Sequence, residues 1–187
     1  MTGRNERLLK EYRINLRWTA FPLHPETPEE GQTLEELFAG QGKDIPGMLA
    51  RLKQVAVAEG LPFGDRKMTF NSRLAQELGK WAEAKGSGQA FHHAIFRAYF
   101  ADGLNIGKSQ ILLDLAVSLG LPGEEAKTVL TERSFRAAVD QDWERSERMG
   151  IDSVPTFAMA GRILSGVGSY EELEKFVLAG GGQKRER

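Results

Sequence analysis

The sequence predicts an α/β fold in which a long all-helical block is inserted between two terminal segments that share a sheet. Three observations predict it. Residues 13–18, RINLRW, alternate Ile14, Leu16 and Trp18 with Arg13, Asn15 and Arg17, the period of a strand buried on one face. Residues 33–149 instead carry apolar side chains at helical spacing, punctuated by glycine and proline. After Gly150 the period returns to two, in TFAMA and RILSG on either side of Gly161, as in a hairpin. A lone strand cannot bury its face and a two-stranded hairpin is marginal in water, so 13–18 is expected to pair with the hairpin over 156–165.

Each element follows from its residues. RLLKEY, 7–12, reads as the last turns of a helix, and AFPLHPETPEEG, with Pro22, Pro25 and Pro28, as an extended surface loop. Thr33 with Glu36 three residues on has the form of a capping box, opening a short helix through Leu37 and Phe38. Met48, Leu49, Leu52, Val55 and Ala56 form one face of the next helix, closed by Gly60 and Pro62. Asn71 can cap a helix that turns Leu74, Leu78 and Trp81 inward. Phe91, Ile95, Ala98 and Tyr99 mark another helix, and Leu112, Leu115, Ala116 and Leu119 a fifth. Helices over 123–131 and 134–149 follow, the latter facing inward through Phe135, Ala138, Val139 and Trp143. Ser169 with Glu172 repeats the capping-box pattern before Tyr170, Leu173, Phe176 and Val177, and the tail GGGQKRER is expected to fray.

Composition narrows the function. Lys and Arg number 25 against 26 Asp and Glu, a formal charge of −1, which gives no electrostatic reason to expect nucleic acid or an anionic membrane as partner. The opening residues are charged where a signal peptide is apolar, and no apolar run approaches a membrane span, so a cytosolic protein is expected. There is no cysteine, which removes a disulfide framework, a thiolate nucleophile and any cysteine-ligated metal from these residues. An all-histidine metal site is not expected either, because His24, His92 and His93 are the only histidines and the adjacent pair points to different sides of a helix.

Pro155 stands at the mouth of the first hairpin strand, where a residue without an N–H is tolerated. RWTAFPLHPETPEEG (17–31), NSRLAQELGKWAEAKG (71–86), FRAYFADGLNIG (96–107) and GIDSVPTFAMAGRILSGVGSYEELE (150–174) together resemble the DsbA family of thiol-disulfide oxidoreductases, in wording close to its FrnE-like cytosolic branch. The resemblance implies a thioredoxin-like fold with a large helical insertion. It divides the chain into a first thioredoxin-like part (1–32), an insertion (33–149), a second part (150–179) and a flexible tail (180–187). It also implies that Val154-Pro155-Thr156 is a cis-proline loop whose backbone pairs with an extended substrate peptide or glutathione.

The family's first strand, its Cys-x-x-Cys and the start of its first helix have no counterpart here, TGRNERLLKEY resembling that helix's continuation. The expectation is that the natural product begins upstream of Met1. Without two thiols the chain as given is expected to be redox-inactive, with no catalytic residue and no metal ligand of its own. Its expected partners are protein thiols and disulfides or glutathione, with no resident cofactor unless glutathione serves as one.

Two alternatives accompany that reading. One is a relative that uses glutathione in isomerase or transferase chemistry, of the 2-hydroxychromene-2-carboxylate isomerase or kappa-class type. There Ser169, at a helix N-terminus beside Gly166 and Gly168, would receive a glutathione carboxylate, and Asn71 would face the site. The other is a peptide-binding module without catalysis. His92 and His93 are general-base candidates on titration range alone, and His24 lies between two loop prolines without an evident partner.

Overall fold

Local signals place most of the elements in the computed structural model, which describes residues 2–166 and 169–186. In chain order these are α1 (Thr2–Glu11), β1 (Gln32–Thr33), α2 (Leu34–Leu37), α3 (Ile45–Ala58), β2 (Met68–Thr69), α4 (Arg73–Ala84) and α5 (Gly88–Phe100). They continue with α6 (Ser109–Ser118), α7 (Gly123–Glu132), α8 (Arg136–Arg148), β3 (Thr156–Met159), β4 (Arg162–Ser165) and α9 (Tyr170–Ala179). The chain divides into two compact units, Met1–Leu23 with Asp142–Arg187, and His24–Gln141.

In the first unit, Leu8 of α1 and Tyr12, just after it, pack with Tyr170, Leu173 and Val177 of α9, and Ile14, Phe157 and Met159 lie against them. Two phenols span the same seam in opposite senses. The Tyr12 hydroxyl donates to Glu174 Oε1 at 2.6 Å, and the Tyr170 hydroxyl to Glu11 Oε2 at 2.8 Å. β3 and β4 pair antiparallel, with Thr156 opposite Ser165 and Met159 opposite Arg162. Between them Ala160 and Gly161 both have positive φ, +49° and +74°, the geometry a two-residue hairpin turn needs to match the twist of its strands.

The strand expected over 13–18 does not form, nor does its pairing with the hairpin; among the described residues β3 and β4 pair only with each other. The alternation of burial is nevertheless present, Ile14, Leu16 and Trp18 being partly buried and Arg13, Asn15 and Arg17 exposed. Period two reports one-sided burial, whereas a strand also needs a ladder partner. Here the Arg13 N–H goes to the Gln183 carbonyl, and the Ala20 N–H to the Asp142 carboxylate of α8 at 2.9 Å. The tail, expected to fray, is bonded at 183–185. Arg185 N–H donates to the Glu11 carbonyl, Tyr12 and Lys184 form a β-bridge, and the Lys184 ammonium reaches Glu174 at 3.2 Å.

In the second unit, α4 to α7 enclose a core that includes Leu78, Trp81, Phe91, Leu112, Ala116 and Ala126. Trp81 is 1% exposed and donates its Nε1–H to Glu125 at 2.9 Å, so the one polar atom of the ring is satisfied where it is buried. The Thr33–Glu36 capping box is present on α2. β1 and β2 form a two-residue ladder, Gln32 opposite Thr69 and Thr33 opposite Met68, that the period of the sequence does not announce. α3 buries only Ala56 of its predicted face, leaving Leu52 and Val55 exposed. The cap of α4 is Ser72 rather than Asn71, and Asn71 Oδ1 accepts the Arg73 N–H at 2.9 Å from one position earlier.

Candidate functional site

The segment leading into β3 is built by the end of α8. Gly150, at φ +65°, takes the chain out of the helix, and Ile151 N–H bonds back to the Ser146 carbonyl. Asp152, Ser153 and Val154 are then exposed before the chain enters the hairpin. Three contacts fasten the turn. The Gly166 N–H donates to the Pro155 carbonyl at 2.8 Å; the Thr156 hydroxyl donates to the Ser153 carbonyl at 2.7 Å and lies 3.3 Å from the Ser165 hydroxyl. The Val154–Pro155 peptide is cis.

What this leaves open is the backbone of Val154. Among the described residues no hydrogen bond uses its N–H or its carbonyl, and its side chain is 46% exposed. An extended segment with a free N–H and a free carbonyl on one residue can accept another chain in β-fashion. Ser153 and Gly166 hold the turn on either side; the sequence marks Gly166 only as a neighbour of Ser169, and Ser153 not at all. The Ser-x-x-Thr spacing, in which a hydroxyl returns to a carbonyl three residues back, is the signal that identifies Ser153.

Ser169 lies in the same unit and caps α9 as the sequence predicts. Its hydroxyl accepts the Glu172 N–H at 3.2 Å, and its own N–H donates to Glu172 Oε2 at 3.0 Å. Gly168, named beside it in the sequence reading, lies outside the described residues. The first turn of α9 also carries Glu171. Its carboxyl is held below the usual carboxylate range by its own backbone N–H and by Ser169. The donors of this helix start thus already face two carboxylates of the protein.

Asn71 belongs to the other unit, where its amide is taken up locally. Nδ2 donates to the carbonyls of Pro25 (3.2 Å) and Thr27 (2.8 Å), and Oδ1 accepts from Arg73. The histidines differ among themselves. His92 stacks on Phe96 at 4.5 Å, and burial, then the neighbouring His93, push its pKa down to about 4, so it is neutral at physiological pH. His93 Nε2 lies 3.3 Å from Gln89 Nε2. Neither of these contacts sets a ring nitrogen against a nucleophile.

With this geometry in view, comparison with known proteins is specific about family. The DSBA-like thioredoxin domain matches residues 2–177. The curated relative YwbO of Bacillus subtilis is 30% identical over 105 residues, 56% of this chain; the match spans about half, 52%, of that relative's length. Among solved structures, a probable DsbA oxidoreductase from Streptomyces coelicolor superposes with a TM-score of 0.84 at 24% identity, covering 99% of this chain and 85% of that one. A 2-hydroxychromene-2-carboxylate isomerase gives 0.71 at 16% identity, covering 96% and 86%. The cytosolic disulfide reductase DsbM of Pseudomonas aeruginosa, also solved with glutathione, gives 0.65 at 21%, covering 95% and 89%. The fold is a thioredoxin fold of this type, α/β with a helical insertion. Among the described residues no helix is long and apolar enough to cross a membrane.

Proposed function

The chain belongs to the DSBA-like thioredoxin domain family, and from that premise we propose that it is of the FrnE-like cytosolic oxidoreductase type and that Val154-Pro155-Thr156 is its substrate-binding segment. An extended thiol-bearing or disulfide-bearing peptide, or glutathione, pairs with the backbone of Val154. The observation that carries the reading is that among the described residues the N–H and carbonyl of Val154 are unpaired, on a turn fastened by Gly166 and Thr156. The four quoted sequence segments and the likeness to DsbM support the branch and the cytosolic location.

These 187 residues contain no thiol, so they bind and do not exchange. Exchange requires a thiolate to attack and a second thiol to resolve, and no other side chain does this reversibly. Glutathione is the alternative ligand, because DsbM has been solved with it. A glutathione carboxylate at Ser169 would have to displace Glu172 from the Ser169 N–H. Asn71 enters that alternative only if it exchanges the Pro25 and Thr27 carbonyls for the ligand. Peptide is therefore the preferred ligand.

The test is a three-way assay on the 187-residue chain. Insulin reduction is expected to be absent. Calorimetric titration with an extended cysteine-containing peptide is expected to show binding, weakened about tenfold in Pro155→Ala, which keeps the hairpin but changes the turn. Titration with reduced glutathione decides between the ligands. Equal peptide affinity in Pro155→Ala and wild type would overturn the assignment of the segment.

A further inference from the structure

The loop from His24 to Gly31 is fastened more firmly than a surface loop requires. Thr27 N–H donates to the His24 carbonyl at 3.2 Å, Asn71 holds the Pro25 and Thr27 carbonyls, and Asn105 Nδ2 donates to the Glu29 carbonyl at 3.0 Å. Lys108 also bridges Glu29, at 3.4 Å, and Glu30. At the head of this loop His24 has φ +89°, a conformation uncommon for a residue with a Cβ and maintained only where the surroundings impose it.

The imposed position sets His24 against Phe38, edge to face with ring centroids 6.1 Å apart; the Lys43 ammonium lies 4.2 Å from the centroid of that same ring. The β1–β2 ladder and the Leu34 N–H to Lys67 carbonyl bond, 3.0 Å, bring α2, which Phe38 ends, alongside residues 66–69. There Arg66 donates to the Tyr99 hydroxyl at 2.5 Å, with its guanidinium 4.7 Å from the Tyr99 centroid, and Tyr99 in turn shares a hydrogen bond with Thr69 at 3.0 Å. Among the described residues no carboxylate lies within ion-pair distance of His24, Lys43 or Arg66. Of the nearby acidic side chains, Glu36 accepts the Thr33 N–H and Asp44 the Gly47 N–H.

We propose that His24, Lys43 and Arg66 form a binding site for an oxyanion, the phosphate or carboxylate group of a small ligand, with Phe38 and Tyr99 as its apolar walls. His24 and Lys43 lie against the same Phe38 ring, and the charges of Lys43 and Arg66 both act on His24; basic groups so placed without a counter-charge repel one another, and a bound anion relieves that repulsion. His24 reports it. Loss of water at its ring, then the charges of Lys43 and Arg66, hold its ionisation below the ordinary histidine value, and no carboxylate opposes them. An anion between the three favours the imidazolium, so affinity rises as pH falls through the titration of His24.

The experiment is a proton NMR pH titration of the three histidine ring signals in the full chain, in chloride, phosphate or succinate at matched ionic strength. The His24 midpoint is expected to rise by about one pH unit in at least one oxyanion, with His92 and His93 unmoved. Lys43→Ala, at an exposed position, and Arg66→Gln are each expected to weaken binding about tenfold. A response to phosphate alone, to succinate alone or to both identifies the group. An unmoved His24 midpoint, or one that moves together with His92 and His93, overturns the proposal, and either result leaves the reading of Val154-Pro155-Thr156 unaffected.

Discussion

Arg133 closes a fork on Glu77. Its Nε donates to Oε2 at 2.6 Å and its terminal nitrogen to Oε1 at 2.7 Å, from a residue in the left-handed conformation, φ +56°, at the end of α7. Arg73, one turn before Glu77 on α4, adds a bond to Oε1 at 2.6 Å and reaches Asp140 of α8 at 2.6 Å. One buried carboxylate, 1% exposed, thereby ties α4 to the end of α7, and through Arg73 to α8.

Removing that charge leaves Arg133 without its carboxylate and Arg73 with Asp140. Glu77→Gln is expected to destabilise the protein by about 3 kcal/mol, measured by denaturant unfolding. The pH dependence has a definite sign. Burial raises the Glu77 pKa, but Arg133 and Arg73 outweigh it, so the folded value lies below the unfolded one. The contribution is present above the unfolded carboxylate range and is lost as pH falls through the folded value. Over that acid range the stability of Glu77→Gln is expected to fall less steeply than that of the parent chain.

Asp142 does for the 13–20 segment what a neighbouring strand was expected to do. Its carboxylate, 1% exposed, accepts from Arg17 at 3.0 Å and from the Ala20 N–H at 2.9 Å. Asp142→Ala is expected to cost about 2 kcal/mol and to speed hydrogen exchange at the Ala20 amide while the hairpin amides of 156–165 keep their protection. Equal acceleration in both places would mean that Asp142 supports the unit as a whole.

Ser169 tests whether the start of α9 is structural or receptive. Ser169→Ala removes the hydroxyl that accepts the Glu172 N–H and is expected to lower stability by about 1 kcal/mol. Peptide affinity at Val154 is expected to stay unchanged. A loss of glutathione or peptide affinity without loss of stability would instead make Ser169 a ligand contact.

Much of the fold is legible in the sequence, because its signals are local. The capping boxes Thr33–Glu36 and Ser169–Glu172 each need only one turn of chain, and both are present. Leu78, Trp81 and Phe91 are buried as the helical period predicts. Gly161 marks a turn that only positive φ can close. The family is legible too, because it is written in four quoted segments rather than in a single motif.

The misreadings share a cause. RINLRW has the burial of a strand, but a ladder depends on what lies beside it, and that is not encoded in the segment. GGGQKRER has the composition of a loose end, yet residues 183–185 find bonding partners in Glu11, Tyr12 and Arg13, some 170 positions away. α3 has an apolar face, but whether a face is covered depends on neighbours the periodicity does not describe.

The sequence by itself determined most of the helices and their two capping boxes, the hairpin turn, the family, and that these 187 residues hold no thiol to carry out exchange, since each rests on residue identity or on contacts within a turn. Only the tertiary structure decided that Asp142 replaces a strand partner, that Glu77 gathers two arginines, that among the described residues the Val154 backbone has no hydrogen-bond partner, and that His24 and Lys43 meet the same Phe38 ring. These are pairings between residues far apart in sequence, and the free energy of bringing a charge or a backbone group to its partner is set by the fold that delivers it.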